Sequence, residues 1–294
     1  MKSALSAFLR FLRAYARSPL AVIGLTGTLL VLLAAVLAPV LSPQNPYDLL
    51  QLDIMESRLP PGEQAYAGFT FLLGSDGQGR DMFSAILYGL RISLVVGVGS
   101  AALAFVLGTL FGLTAAYVGG RTETIMMRLV DLQMSVPTIL SALLLLALLG
   151  KSIGNVMLAI VIVEWATYAR TARGTALSQM RRDYVEAAKA LRMGHANMIL
   201  RQLLPNCISP LIVLLTMQIA RAITLEATLS FLGLGVPITE PSLGLLISNG
   251  YELMLSGTYW VSLFPGIALL VTIFSINLVG DRMRQILDPK AAQR

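Results

Sequence analysis

Four ionisable residues interrupt long apolar stretches of this chain: Asp131, Glu164, Arg221 and Glu226. Such side chains are costly within a bilayer and mark ion paths, ligand sites or subunit contacts. Glu164 is the candidate for a pore or interface position. Arg221 and Glu226 stand five apart, so they do not share a helical face as an i,i+4 pair would. Other reactive types are scarce. His195 is the only histidine and Cys207 the only cysteine, which excludes a histidine-based zinc site or triad and any intrachain disulfide. Cys207 reads as a buried packing residue. Gly150-Lys151-Ser152 resembles the end of a phosphate loop, but that pattern needs a glycine five residues earlier, where Leu145 stands. The 13 methionines are scattered, as packing residues are, rather than grouped as soft-metal ligands. No catalytic residue, metal site or cofactor is expected.

The elements that must position these residues are membrane spans. Hydrophobic residues make up 56% of the chain and charged ones 13%, against about 45–50% and about 25% in soluble domains. A helical span takes about 20 mostly apolar residues. Six stretches qualify: Leu20 to Leu41, Ile92 to Val118, Leu129 to Leu149, Ile153 to Ala169, Ile208 to Leu234 and Tyr259 to Val279. The first follows Lys2, Arg10, Arg13 and Arg17 but is too long for the apolar core of a signal peptide, so it reads as an uncleaved helix.

Basic residues set the orientation. Seven fall in 170–201 (Arg170, Arg173, Arg181, Arg182, Lys189, Arg192, Arg201) and four after Asp281 (Arg282, Arg284, Lys290, Arg294). The 42–88 loop holds Arg58 and Arg80, and the 235–258 loop holds none. An all-α membrane protein with six spans and both termini cytoplasmic satisfies every count. The organisation is a cytoplasmic segment 1–19, a first span 20–41, an outer loop 42–88, a core of five further spans over 89–282 and a tail 283–294. The net charge of +6 belongs to this topology rather than to nucleic-acid binding.

Gly108 and Gly112 form a G-x-x-x-G in the second span, with Gly97 and Gly99 above them. Small residues at that spacing predict a close helix–helix approach. The inner loop 170–206 reads as helical around Tyr184 to Leu191, with a second short helix starting near Asn197 as its cap. The outer loop 235–258, with Pro237, Pro241, Gly244 and Gly250, reads as partly irregular.

One segment is specific. Asp183-Tyr184-Val185-Glu186-Ala187-Ala188, followed by Leu191, Gly194 and Leu203-Leu204-Pro205-Asn206, resembles the EAA loop of ABC importer permeases. Leu73-Gly74-Ser75-Asp76 with Gly79-Arg80-Asp81, Glu226 through Gly235, and Asn277 to Asp281 with Leu287-Asp288-Pro289 are similar to the dipeptide/oligopeptide/nickel branch of that family. The resemblance runs from about Pro19 to Pro289. One departure is Arg192, which stands where the family commonly has the turn glycine; the nearest glycine here is Gly194.

The resemblance implies a type I ABC importer permease in a bacterial inner membrane. Its complex would hold a second homologous permease as a heterodimer, two ATP-binding subunits and an extracytoplasmic solute-binding protein. Tyr184, Glu186, Ala187, Ala188, Leu191, Gly194 and Pro205 would form the coupling hairpin, 183–205, with a glycine turning the chain and a proline starting the next span. Ala188→Trp would then uncouple ATP hydrolysis from transport. Peptides are the implied cargo, with nickel, metal chelates and other small solutes open. An ion-gradient-driven carrier is the rival class; it predicts inverted repeats, and the most distinctive motif here lies on the cytosolic side instead.

Overall fold

A computed structural model describes residues 15–48, 51–191 and 193–287. Lys2, Arg10, Arg13, Arg192, Lys290, Arg294 and the Asp288-Pro289 ending lie outside them. The described residues are helical apart from loops and two isolated bridges. In chain order the helices are α1 (Pro19–Val36), α2 (Ala38–Leu41), α3 (Met82–Val118), α4 (Gly120–Ser135), α5 (Thr138–Leu149) and α6 (Ile153–Gln179). They continue with α7 (Asp183–Ala190), α8 (His195–Asn197), α9 (Leu204–Phe231), α10 (Leu243–Tyr251) and α11 (Trp260–Leu287). Five helices are long and apolar enough to cross a membrane, and α4 with α5, a bent pair, meets the same test when counted as one span.

The spans differ from the apolar runs in length and, once, in shape. At 37 residues, α3 extends about 55 Å, well beyond a hydrocarbon core of about 30 Å. It begins at Met82, so the end of the expected 42–88 loop is already helical. Asp81 caps it, its carboxylate accepting from Ser84 N at 2.8 Å. The expected third span, Leu129 to Leu149, is not one helix. It breaks at Val136-Pro137 with a bend of 89°. Proline drives its predecessor out of the α region, and Val136 is extended at φ −95°, ψ 136°. Gly120–Ser135 carries Arg121, Glu123, Arg128 and Asp131, and Glu123 and Asp131 are tied to α6 by Arg173 and Arg170, each at 2.6 Å.

Bilayer-embedded helices gain little from hiding apolar surface, so they associate by close packing and hydrogen bonds. The α3–α6 pair is the most extensive helix contact among the described residues. A side-chain carbon on Gly108 would overlap Trp165 O, and one on Gly112 would overlap Ala169 O. The G-x-x-x-G therefore serves a contact within this chain. Buried clusters of side chains surround the pair. Two lie side by side in its outer half, one with Val31, Met82, Leu90, Ile223, Leu246 and Trp260 and one with Val96, Leu146, Ile160, Ala222 and Leu229. An inner layer at the hairpin end joins Leu113, Ala172, Val185, Leu203 and Cys207.

Residues 51–81 fold back onto the outer ends of α3 and α11. Gly74 takes φ +80°, in the left-handed region, and lies so near Trp260 that a Cβ would meet its indole nitrogen at 2.6 Å. Trp260 Nε1 donates to Ser75 O at 3.1 Å, and Arg80, 2% exposed, donates from Nη2 to Ile238 O at 3.2 Å. Burial pushes the Asp76 carboxyl up and the Arg80 guanidinium down from their usual ranges; backbone N–H donors and the mutual Asp76–Arg80 attraction oppose this. The outer loop after α9 is more ordered than its composition predicts, because α10 tucks Leu243, Gly244 and Leu246 into the core.

Two outcomes follow from this packing. Gly108→Leu, which forces a side chain into the α3–α6 contact, is expected to destabilise the chain by about 1–3 kcal/mol, the usual range for overpacking. Thermal unfolding of the detergent-purified protein reads this, with the exposed Leu107→Ala as a near-silent control. Trp260→Phe removes one buried donor and is expected to cost about 1 kcal/mol, seen as faster proteolysis of the 51–81 segment.

Candidate functional site

The hairpin between α6 and α9 is built on a short helix with two unlike sides. On α7, Val185 (0% exposed) and Ala188 (5%) are buried among Leu113 and Ala116 of α3, Ala172 and Ala176 of α6, and Cys207 and Leu211 of α9. Tyr184 sits half-buried beside them and donates from its hydroxyl to Gln179 Oε1 at 3.1 Å. On the other side, Glu186 and Ala187 are exposed, and Leu191, just past the helix, is 80% exposed. Of the residues expected to dock a partner, Glu186, Ala187 and Leu191 point away from the chain. Ala188 faces its own core instead, because its position three residues after Val185 puts it on the inward face.

Two further expectations change in detail. Gly194 is exposed with φ −61°, ψ 149°, and nothing lies within 4 Å of where its Cβ would be. Its conformation is open to any residue, so it is not a glycine-dependent turn. Gly194, not Asn197, is the cap of the following helix. Pro205 is exposed and stands in the first turn of α9, as expected, although turns of other pitch precede it and helix runs continuously from His195 to Phe231. A proline inside a helix lacks an N–H and clashes with the carbonyl four residues back. Here a π-segment, Met198–Leu203, precedes it, with Leu204 N donating to Ile199 O five residues back. The wider turn gives the ring room. At the hairpin's far end, His195 Nδ1 lies 2.8 Å from the Tyr117 hydroxyl, pinning α8 to the last turn of α3.

The ionisable residues in the spans form two centres. Glu164 is 2% exposed; its Oε2 accepts from Gln218 Nε2 at 2.7 Å, and Arg221 Nε approaches Oε1 to 3.3 Å. Glu226 is fully buried and accepts from Ser93 at 2.7 Å and Ser230 at 2.8 Å. It is a cross-helix pin between α9 and α3. Arg221 and Glu226 face different surroundings, as their five-residue offset requires. Asp131 lies near the inner end of α6, with Arg170. The Gly150-Lys151-Ser152 segment is a helix junction: Gly150, at φ +82°, ends α5, and Ser152 caps α6 by accepting from Asn155 N at 3.1 Å. Cys207 is fully buried in the inner layer.

Comparison with known proteins places this architecture. The family model described as "Binding-protein-dependent transport system inner membrane component" matches residues 108–293, and that of the "N-terminal TM domain of oligopeptide transport permease C" matches residues 6–61. The dipeptide transport system permease protein DppC of Haemophilus influenzae is 37% identical over 273 residues, covering 93% of this chain and 91% of the relative. The oligopeptide transport system permease protein OppC of Bacillus subtilis is 33% identical over 98% of this chain and 92% of the relative. Inward-facing structures of the MetNI methionine ABC transporter share the fold at 17% identity, with a TM-score of 0.57 over 70% of this chain and 98% of that one. With its apolar membrane-length helices and the short α7 hairpin between α6 and α9, this chain belongs to the binding-protein-dependent transport system inner membrane component family of ABC importer permeases and is a multi-pass inner-membrane protein.

Proposed function

We propose that this chain is one permease half of an ATP-driven importer of di- or oligopeptides. A second homologous permease completes the path, two ATP-binding subunits supply hydrolysis, and an extracytoplasmic binding protein delivers the solute. Peptide cargo is carried over from the names of the relatives. The observation that supports the coupling role is the two-sided α7. Glu186, Ala187 and Leu191 are offered outward, while Val185 and Ala188 are locked among α3, α6 and α9.

An apolar side chain as exposed as Leu191, beside the small Ala187, suits insertion into a groove of a partner. Closure of ATP-binding subunits around α7 would load the inner layer directly, because the buried side of the helix has no slack. The spans that share that layer would then move as a body, opening the path outward; hydrolysis returns them. Such coupling requires contacts that differ in energy between the two states.

In the reconstituted complex, Ala187→Trp is expected to lower peptide uptake by at least about tenfold, equivalent to about 1.4 kcal/mol of lost coupling, while ATP hydrolysis continues. Ala188→Trp is expected to act differently: it overfills the inner layer and lowers the yield of folded chain. Full uptake by Ala187→Trp would overturn the assignment.

A further inference from the structure

The exposed faces of the spans are not alike. On α1, α3 and α11 they are predominantly apolar, as at Leu30, Val106 and Leu270, which suits contact with lipid. On α9, by contrast, Asn206, Pro210, Val213, Met217, Arg221, Thr224 and Thr228 recur every three or four residues and are exposed or half-exposed. That spacing is one helical face, and it is polar at both ends. Its cytoplasmic part, with Thr171, Thr175 and Gln179 of α6, lines a cleft of about 640 Å³ that reaches up to Met217. Arg221 stands one turn above Met217.

The depth of Arg221 makes its exposure informative. It is ten residues in from Phe231, the outer end of α9, or about 15 Å along the helix. That is half of a hydrocarbon core of about 30 Å. A guanidinium exposed at mid-membrane is costly against lipid and is found facing water or a polar partner. The Arg221 side chain is 54% exposed while that of Glu164 is 2% exposed. Gln218 fixes Glu164 at 2.7 Å, so the acid stays hidden and the base is presented. Arg221 meets Glu164 through Nε, and no partner for its guanidinium other than Glu164 is found among the described residues. A guanidinium carries five donors in a planar fork matched to a carboxylate.

We propose that Arg221 is a substrate-contacting residue of a water-filled path along α9, where its free donors take a carboxylate of the transported solute while Glu164 and Gln218 hold the side chain in place. This rests on the importer reading. It narrows the cargo to solutes bearing an anionic group, as every peptide with a free C-terminus does. It also gives Glu164 a positioning role behind the path rather than a place within it.

The test has two arms. In a Cys207→Ala chain within native membranes, Arg221→Cys and Thr224→Cys are expected to react with membrane-impermeant methanethiosulfonates, whereas Val106→Cys and Leu270→Cys are not. At Thr224→Cys, the sulfonate-bearing reagent is expected to outpace the trimethylammonium one, and adding Arg221→Gln should cut that ratio at least about tenfold, the effect of losing a charge-assisted contact. In the reconstituted complex at saturating binding protein, Arg221→Gln is expected to slow dipeptide uptake at least about tenfold, with Arg221→Lys intermediate. Unreactive cysteines at 221 and 224 would overturn the path. Uptake by Arg221→Gln at the wild-type rate would overturn the carboxylate contact, and failure of both Arg221 variants to assemble would make Arg221 a subunit-interface residue instead. A wild-type complex that moves no peptide would sink the importer reading itself, and the reagent preference at 224 would then decide the anion site alone.

Discussion

In hydrocarbon, two helices gain nothing by hiding apolar side chains from a solvent that is itself apolar. What can hold them is contact at the shortest range and hydrogen bonds that have no competitor. The α3–α6 pair meets the first requirement through Gly108 and Gly112, where the two backbones touch. The Ser93–Glu226 bond between α3 and α9 meets the second. Because α3 is longer than the membrane is thick, this pairing reaches from the outer clamp around Arg80 and Trp260 to the hairpin at Tyr117 and His195. Both ends of the bundle are thereby attached to one closely packed helix pair.

That attachment gives a helix of eight residues the hold that the proposed coupling role requires. Isolated helices of this length are marginal in water. Here α7 is held by what it buries, Val185 and Ala188, and by the Tyr184–Gln179 hydrogen bond. Glu186 and Ala187 on its other side are exposed. The π-segment before Pro205 serves the same end, since it lets the hairpin pass into α9 without a break in the helix.

Apolar runs located the crossings because lipid selects composition over some 20 residues at a time. They did not mark where helices stop, since Arg170–Gln179 continues α6 into the cytosol with no hydropathic signal. The break in the third crossing was readable in principle, because Pro137 stands inside the apolar run and its steric effect on Val136 is local. The hairpin's position was legible from Glu186 to Pro205, but not the orientation of its alanines. Ala187 and Ala188 are the same residue type, and only the packing of Val185 distinguishes their faces. The same limit applies to the polar centre: Glu164 and Arg221 both interrupt apolar runs, and which of them is presented depends on Gln218, a residue that hydropathy does not single out.

The coupling role proposed for α7 stands or falls on whether its outward side docks an ATP-binding subunit. A photo-crosslinking amino acid placed at Ala187 in living cells, with captured protein identified by mass spectrometry, tests it directly. Docking there predicts capture of an ATP-binding protein at 187 and only intrachain products from the same probe at Val185. Exclusive capture of other membrane proteins at 187, from cells in which peptide uptake is intact, would contradict it.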